Sequence, residues 1–187
     1  MTQPPLWVLP RSVVLVGLMG AGKTSIGRRL ATRFQLPFVD ADQEIEAAAG
    51  CAIETIFELH GEAAFRDCER RVIRRLLERP VQILATGGGA FIDPETRALV
   101  RDRAISLWLR AELELLLDRV ARRTNRPLLK RGEPREILVR LIAERYPVYA
   151  EADIVVDSLD APTEVTVEAA LGALRAFLAH ERERVSS

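Results

Sequence analysis

The sequence predicts an α/β protein whose core is a doubly wound, five-stranded parallel sheet. Strand-like segments alternate with helix-like segments along the chain, and each strand-like segment is apolar along most of its length. Strands of this kind are typical of parallel sheets that helices cover on both faces. The 187 residues are enough for one such domain with a sizeable core. Ligands of this fold class are expected at the carboxyl ends of the strands.

The strands are predicted from short, β-branched apolar runs. In chain order they are 12–17 (SVVLVG), 37–42 (PFVDAD), 81–86 (VQILAT), 104–109 (AISLWL) and 153–157 (DIVVD).

The helices are predicted from 3.6-residue periodicity and from cap residues such as Asp93, Pro94 and the glycines at 50 and 61. They are 23–34, 42–49, 53–60, 62–79, 93–102, 111–123, a helix ending near 150, and one from about 162 to 181. The polar segment 124–134 contains Pro and Gly without periodicity, which predicts a mobile loop.

The composition is that of an ordinary globular protein, with 48% hydrophobic residues, 29% charged residues and a formal charge of zero. A neutral chain has no long-range field that would recruit nucleic acid or an anionic membrane. No apolar run approaches the roughly 20 residues of a membrane-spanning helix, and the proline-broken start does not resemble a secretory signal. We therefore expect a cytoplasmic protein that binds neither nucleic acid nor membrane. The chain shows no heptad seam, which favours a monomer.

Residues 17–24, GLMGAGKT, match G-x-x-x-x-G-K-[ST] and lie where this motif must lie, between an apolar strand and a helix. The glycines allow backbone N–H groups to face phosphates at a helix N-terminus. Lys23 is placed to reach the β- and γ-phosphates, and the Thr24 hydroxyl is placed for Mg²⁺. A glycine-rich turn without a ligand is disfavoured by the match and its context together. The predicted nucleotide-binding residues are Gly20, Ala21, Gly22, Lys23, Thr24 and Ser25.

Two carboxylates, Asp40 and Asp42, follow the second predicted strand. Side chains two residues apart on a strand point to the same side, so both are expected at the mouth of the sheet. One of them could hold the metal ion, since the strand 81–86 carries no Asp, and the other could meet an acceptor hydroxyl. Asp42 could equally be the N-cap of the following helix, and spacing alone leaves both interpretations open.

Three further features have no role in the nucleotide motif. Gly87, Gly88 and Gly89 follow the third strand and leave room for a compact ligand against the backbone. Arg66, Glu69 and Arg70 share one helical face, a pattern that by itself is usually a solvated charged surface. Arg145 lies just before Pro147, and Arg126 lies in the predicted loop 124–134.

Taken together, these motifs resemble the shikimate kinase family, in the nucleoside-monophosphate-kinase-like branch of P-loop proteins. Six segments occur in the family's order between about residues 12 and 165: GLMGAGKTS, DAD, IFELHGEAAFRDCE, TGGGA, NRPLL and RYPVY. The resemblance implies Mg²⁺- and ATP-dependent phosphorylation of the 3-hydroxyl of shikimate, in the pathway to chorismate and the aromatic amino acids. It also implies one P-loop kinase domain at 12–181, with a helical acceptor-binding insertion at 42–80, a mobile lid at 122–134, and flexible tails at 1–11 and 182–187.

The resemblance further implies roles for individual residues. Arg66 and Arg145 would hold the shikimate carboxylate, and Asp42 its ring hydroxyls. Lys23, Asp42 and Arg126 would be catalytic, with Arg126 of the lid reaching the transferred phosphate. The remaining implied contacts are the acceptor pocket (Gly87, Gly88, Gly89, Phe57, Phe65), the metal ion (Thr24, Asp40) and ATP through Arg119, Arg126 and Pro162.

Three other functions agree less well with the sequence. A kinase of another small hydroxylated acid, such as gluconate, shares the phosphate motif but lacks the combination of DAD with TGGGA. A non-catalytic nucleotide-binding regulator would be expected to have lost Asp42, Arg66 or Arg126, and all three are present. A nucleic-acid-associated ATPase is disfavoured by the neutral charge.

Overall fold

The computed structural model describes residues 7–122 and 133–185. These residues form a five-stranded sheet in the order β2-β3-β1-β4-β5, in which every neighbouring pair is parallel. The predicted doubly wound α/β fold is therefore confirmed. The strands are β1 Ser12–Val16, β2 Phe38–Asp40, β3 Ile83–Ala85, β4 Ala104–Arg110 and β5 Ile154–Asp157.

The helices surround this sheet and begin and end within a few residues of their predicted bounds. They are α1 Lys23–Phe34, α2 Ala41–Ala49, α3 Ile53–Leu77, α4 Pro94–Arg103, α5 Leu113–Ala121, α6 Pro134–Tyr149 and α7 Thr163–Val185. A short 3₁₀ helix at Ala90–Ile92 was not predicted.

The helices predicted at 53–60 and 62–79 are joined in one helix, α3, with a kink between them. The kink is at Gly61, whose φ of 77° and ψ of 176° are not helical. These angles belong to a region of conformational space that is essentially restricted to glycine. The backbone at Gly61 therefore separates two helical segments, as the glycine predicted, and α3 is a kinked pair of these segments.

The central strand places two loops side by side. All five residues of β1 are buried, and β1 pairs with β3 on one side and with β4 on the other. Beyond the end of β3, Thr86 donates from its N–H (3.3 Å) and its hydroxyl (3.1 Å) to the carbonyl oxygen of Leu15. The loop after β1 and the glycines after β3 therefore leave the sheet together, at a point where ligands of open α/β sheets bind.

The flexibility expected for 1–11 and 182–187 stays a prediction, and the described residues at both ends make contacts with the rest of the chain. The rings of Trp7 and Phe34 pack edge to face with centroids 4.8 Å apart, and Leu9 is buried. Helix α7 continues to Val185, and its Glu181 pairs with Arg11 at 2.6 Å. The apolar surface that Trp7 and Leu9 bury offsets the entropy lost on ordering the segment.

Most of the predicted lid, residues 123–132, lies outside the described residues. Within the two described ranges, no helix has both the length and the apolar character needed to cross a membrane.

Candidate active site

The phosphate motif forms the turn between β1 and α1. Gly20 and Gly22 have φ angles of 82° and 97°, in the left-handed region where glycine is favoured. Gly22 is the N-cap of α1 and has no side chain with which to cap the helix. A helix N-terminus without a side-chain cap is typical of sites that bind phosphate.

The side chains of the motif lie around this turn. The Lys23 ammonium donates to the carbonyl oxygens of Gly17 (2.7 Å) and Leu18 (3.0 Å). The Thr24 hydroxyl, one residue further along α1, donates to Oδ2 of Asp40 at 3.2 Å. The motif and the end of β2 therefore meet directly.

Asp40 and Asp42 have different positions, and the expected strand-like pair is wrong. Strand β2 ends at Asp40, whose Oδ1 accepts a hydrogen bond from the Asp42 N–H at 3.1 Å and so caps α2. The cap role considered for Asp42 thus belongs to Asp40, because α2 begins one residue earlier than predicted. Asp42 lies in the first turn of α2 and still reaches the glycine run, since its Oδ1 is 2.9 Å from where a Cβ on Gly87 would lie.

The Thr24–Asp40 pair fits the first coordination shell of Mg²⁺. Within the described part of the chain, no group of three or more His, Cys, Asp or Glu side chains is arranged to hold a metal ion. Mg²⁺ in kinases does not need such a group, since one or two carboxylates, waters and substrate phosphates usually complete its shell. Two hard oxygen ligands 3.2 Å apart beside the phosphate loop match that requirement.

The three glycines after β3 leave space that side chains of the site occupy. None of them is among the positive-φ glycines of the described chain, and Gly89 has a φ of −92°. A Cβ on Gly89 would lie 2.5 Å from Nη2 of Arg66, and one on Gly88 would lie 3.1 Å from Nη1 of Arg145. The sequence suggested room for a ligand, and the structure shows that the glycines also make room for the arginine side chains.

Next to Gly89 lies a cavity of about 300 Å³, a volume suited to a small ligand. Two guanidinium groups, one from each of two helices, and three carboxylate side chains line it. Three of the predicted acceptor residues come together here: Arg66, Gly89 and Arg145. The full lining is Glu62, Arg66, Gly89, Ile92, Asp93, Glu144 and Arg145.

Arg66 is held by a buried carboxylate that the sequence pattern did not identify. Its Nη1 lies 2.7 Å from Oε2 of Glu69, which is only 2% exposed. Burial raises the pKa of Glu69, while the charge of Arg66 and its hydrogen bond act in the opposite direction. The spacing predicted a solvated charged face, and the available signal was that Glu69 shares its helical face with an arginine assigned to the site.

Phe57 and Phe65, which were predicted to form the apolar wall of the acceptor pocket, pack against each other but do not line this cavity. The Phe57 and Phe65 rings are 4.6 Å apart, and the Arg66 guanidinium lies 5.1 Å from the centre of the Phe65 ring. Phe65 is buried, while Phe57 is 36% exposed. The pair therefore supports Arg66 from the side of α3, with Phe57 open to solvent.

A second residue missed by the sequence pattern is Tyr149, at the end of α6. Its side chain is fully buried, and its hydroxyl donates to the carbonyl oxygen of Gly88. Burial raises the pKa of Tyr149 to about 12, against the charge and the hydrogen bond of Arg145. The signal in the sequence was the second tyrosine of RYPVY, one helical turn after Arg145.

On the other side of the phosphate loop, Arg119 of α5 makes three hydrogen bonds. It donates to the Gly20 carbonyl (3.2 Å), the Ser158 hydroxyl (2.8 Å) and the Leu159 carbonyl (2.8 Å). Burial lowers its pKa. Pro162 follows in the same loop and precedes α7. The structure thus brings Arg119 to the phosphate loop, whereas Arg126 lies outside the described residues.

Comparison with known proteins agrees with this geometry. The family model for shikimate kinase matches residues 19–175. The shikimate kinase of Paramagnetospirillum magneticum is 56% identical over 172 residues, which cover 92% of this chain and 88% of that protein. The shikimate kinase of Caulobacter vibrioides is 57% identical over 165 residues, covering 88% and 82%.

Solved structures give the same result. The shikimate kinase from Acinetobacter baumannii in complex with shikimate has a TM-score of 0.85 and 37% identity, covering 89% of this chain and 93% of that one. A gluconokinase from Sinorhizobium meliloti has a TM-score of 0.66 at 20% identity, which shows a shared fold alone. This chain belongs to the shikimate kinase family.

Proposed function

We propose that this chain transfers the γ-phosphate of ATP to the 3-hydroxyl of shikimate at the site described above, with Mg²⁺ as cofactor. The observation that carries the residue assignment is the convergence of Arg66 and Arg145 on one small cavity beside the glycine run. Two guanidinium groups from different helices are suited to hold a single carboxylate by charge-assisted hydrogen bonds. A small hydroxylated acid is the ligand that this arrangement supports best.

The acceptor and phosphate sites adjoin, as phosphoryl transfer requires. A Cβ on Gly88 would lie 3.1 Å from Arg145 Nη1 and 3.5 Å from the carbonyl oxygen of Gly17 in the phosphate loop. A ring held against these glycines therefore lies next to the nucleotide phosphates. Because phosphoryl transfer passes through a loose transition state, most of the catalysis comes from positioning and charge neutralisation.

The chain's own groups then have the following roles. The N–H groups at the start of α1 and the Lys23 ammonium bind the phosphates of ATP. Asp42, beside Gly87, orients the acceptor hydroxyl and is placed to take its proton. Thr24 and Asp40 hold Mg²⁺, which when bound neutralises phosphate charge. All of these groups belong to one chain, so we propose that the monomer is active.

The assignment of the arginines is tested with two acceptors. Arg66→Ala and Arg145→Ala should each weaken shikimate binding by roughly tenfold to a hundredfold, as expected for the loss of a charge-assisted hydrogen bond. Isothermal titration calorimetry measures this directly. An acceptor whose carboxylate is reduced to an alcohol should bind these variants and the unmodified protein almost equally.

Arg74→Ala is the matched control, because Arg74 is an exposed arginine on the same helix as Arg66 and does not line the cavity. It should bind both acceptors normally. If the Arg66 and Arg145 variants lost affinity equally for both acceptors, the arginines would support the fold and would not bind the carboxylate. Turnover of gluconate without turnover of shikimate, in a coupled ADP-release assay, would overturn the function itself.

The variants Asp40→Asn and Asp42→Asn should respond differently to the Mg²⁺ concentration. Asp40→Asn should act through the metal ion, so raising the Mg²⁺ concentration should restore part of its turnover. Asp42→Asn should lower turnover and shikimate affinity at every Mg²⁺ concentration, with ATP binding near normal. Initial rates over a Mg²⁺ titration check both expectations, and identical responses of the two variants would contradict the division of roles.

A further inference from the structure

We propose that Tyr149 is a positioning residue for shikimate binding, whose hydroxyl fixes Gly88 of the glycine run relative to Arg145. The inference rests on the proposed function, in which Arg145 and the glycine run bind the acceptor. Tyr149 does not line the cavity, but its hydroxyl would fix the position of Gly88 relative to Arg145.

The geometry brings three groups to one point. Tyr149 lies one helical turn after Arg145 on α6, so the two side chains share a face of the helix. The Tyr149 hydroxyl donates to the carbonyl oxygen of Gly88. A Cβ on Gly88 would lie 3.1 Å from Arg145 Nη1 and 3.6 Å from the Tyr149 hydroxyl. The glycine is thus enclosed between the guanidinium and the phenol.

The hydroxyl has little freedom to move. The Tyr149 ring is fully buried and packs with Trp108 and Tyr146, with centroids at 5.8 and 6.2 Å. Burial raises the Tyr149 pKa to about 12, so the hydroxyl remains a proton donor at the pH of any ordinary assay. Since a buried phenol excludes water from this position, the Gly88 carbonyl would lose this donor if the hydroxyl were removed.

Loss of the Tyr149 hydroxyl should affect the binding of the acceptor and not the binding of ATP. Gly88 is the element of the glycine run that faces both Arg145 and the phosphate loop. Without the hydrogen bond from Tyr149, Gly88 could shift. The acceptor ring and the Arg145 guanidinium should then both be positioned less precisely. The N-terminus of α1 and Lys23 are held by their own contacts, so ATP binding should not change.

The test compares Tyr149 with Tyr146, whose hydroxyl donates to a different carbonyl group. Tyr149 and Tyr146 lie on the same helix and in the same aromatic cluster, and each hydroxyl donates to a backbone carbonyl. The acceptor for Tyr146 is the carbonyl oxygen of Ala111, which directly follows β4 and is not part of the glycine run. Tyr149→Phe and Tyr146→Phe therefore remove the same chemical group, from a fully buried and a partly buried side chain.

We expect Tyr149→Phe to raise the KM for shikimate by about three- to tenfold, the range for one lost hydrogen bond. The KM for ATP should remain within twofold of the unmodified protein, roughly the smallest effect assigned to such a bond. Tyr146→Phe should leave both KM values unchanged while also lowering the melting temperature. With the carboxylate-reduced acceptor, the effect of Tyr149→Phe should be smaller, because the placement of the ring is still affected but Arg145 has no carboxylate to meet.

Equal kinetic effects of the two substitutions would overturn the proposal, since both tyrosines would then act only through packing. A normal shikimate KM for Tyr149→Phe would also overturn it. Arg145→Ala, measured in parallel, separates this failure from failure of the proposed site. If Arg145→Ala is impaired and Tyr149→Phe is normal, only the positioning role is wrong. If Arg145→Ala binds shikimate normally, the acceptor assignment and the positioning role both fail.

Discussion

At the scale of single residues, the acceptor site depends on side chains that occupy space left by glycines. Arg66 and Arg145 lie against Gly89 and Gly88, and Glu69 approaches Gly87. Glu69 in turn holds Arg66 through a 2.7 Å ion pair in a buried position. A guanidinium fixed in this way meets a carboxylate with less loss of side-chain entropy than a free one.

Glu69 should make stability depend on pH. Its pKa is raised in the folded state, mainly by burial, so its contribution to the free energy of unfolding is complete below the ordinary carboxyl value of 4.5 and is lost as the pH rises through the raised pKa. The unmodified protein should therefore lose stability relative to Glu69→Gln over that interval. Urea unfolding of both proteins between pH 4 and pH 7 measures the difference. A constant difference across the series would contradict a raised pKa.

Gly89→Ala should weaken acceptor binding while leaving the fold intact. The backbone at Gly89 permits alanine, but the new Cβ would lie 2.5 Å from Arg66 Nη2 and would force the flexible guanidinium aside. We expect a higher KM for shikimate and a nearly unchanged KM for ATP. Gly172→Ala is the matched control, since its Cβ would have no neighbour within 4 Å. It should leave kinetics unchanged and raise stability by about 0.5–1 kcal/mol, as in other helix interiors. Normal shikimate kinetics in Gly89→Ala would refute the space requirement.

At the scale of elements, the kinked helix α3 supplies the acceptor side of the site. Phe57 lies before the kink at Gly61 and Arg66 lies after it, yet the Phe57 ring meets Phe65, next to Arg66. The kink therefore sets the angle at which the aromatic pair and the guanidinium converge. A straight helix would carry Phe57 in a different direction.

Gly61→Ala should lower the free energy of unfolding by about 1–3 kcal/mol, the range for a non-glycine residue in such a backbone conformation. If the helix straightens to relieve this strain, the KM for shikimate rises as well. Chemical denaturation and steady-state kinetics measure the two effects. Glu58→Ala, at an exposed position on the same helix, is the control and should change stability by no more than about 0.5 kcal/mol. Equal stability of the two variants would contradict strain at Gly61.

At the scale of the whole molecule, the segment before β1 contacts the last helix, α7. Arg11 and Glu181 are 170 positions apart and form a 2.6 Å ion pair, while Leu9 is 4% exposed within the core. The apolar contacts contribute most of this attachment, because partly exposed ion pairs contribute little.

Leu9→Ala should therefore destabilise the protein by about 2–5 kcal/mol, as large-to-small core substitutions do. The adjacent Val8 is 79% exposed, and Val8→Ala should have an effect below about 0.5 kcal/mol. Thermal unfolding of both variants provides the comparison. Equal melting temperatures would show that the segment before β1 contributes nothing to the folded state.

The sequence by itself determined the features that depend on neighbouring residues. Apolar β-branched runs predicted five strands, and periodicity with cap residues predicted the helices. The phosphate motif and the six segments in register indicated the family. Each strand, helix and motif is a short local pattern, in which propensity and spacing decide the local structure.

Only the tertiary structure decided how distant segments complete the site. It buried Glu69, which the spacing placed on a solvated face, and it made Asp40 the cap that had been considered for Asp42. It also brought Tyr149 to Gly88, 61 positions away in the chain. The physical reason is that burial and long-range hydrogen bonding depend on the packing of α2, α3 and α6 around the glycine run, and no local pattern encodes that packing.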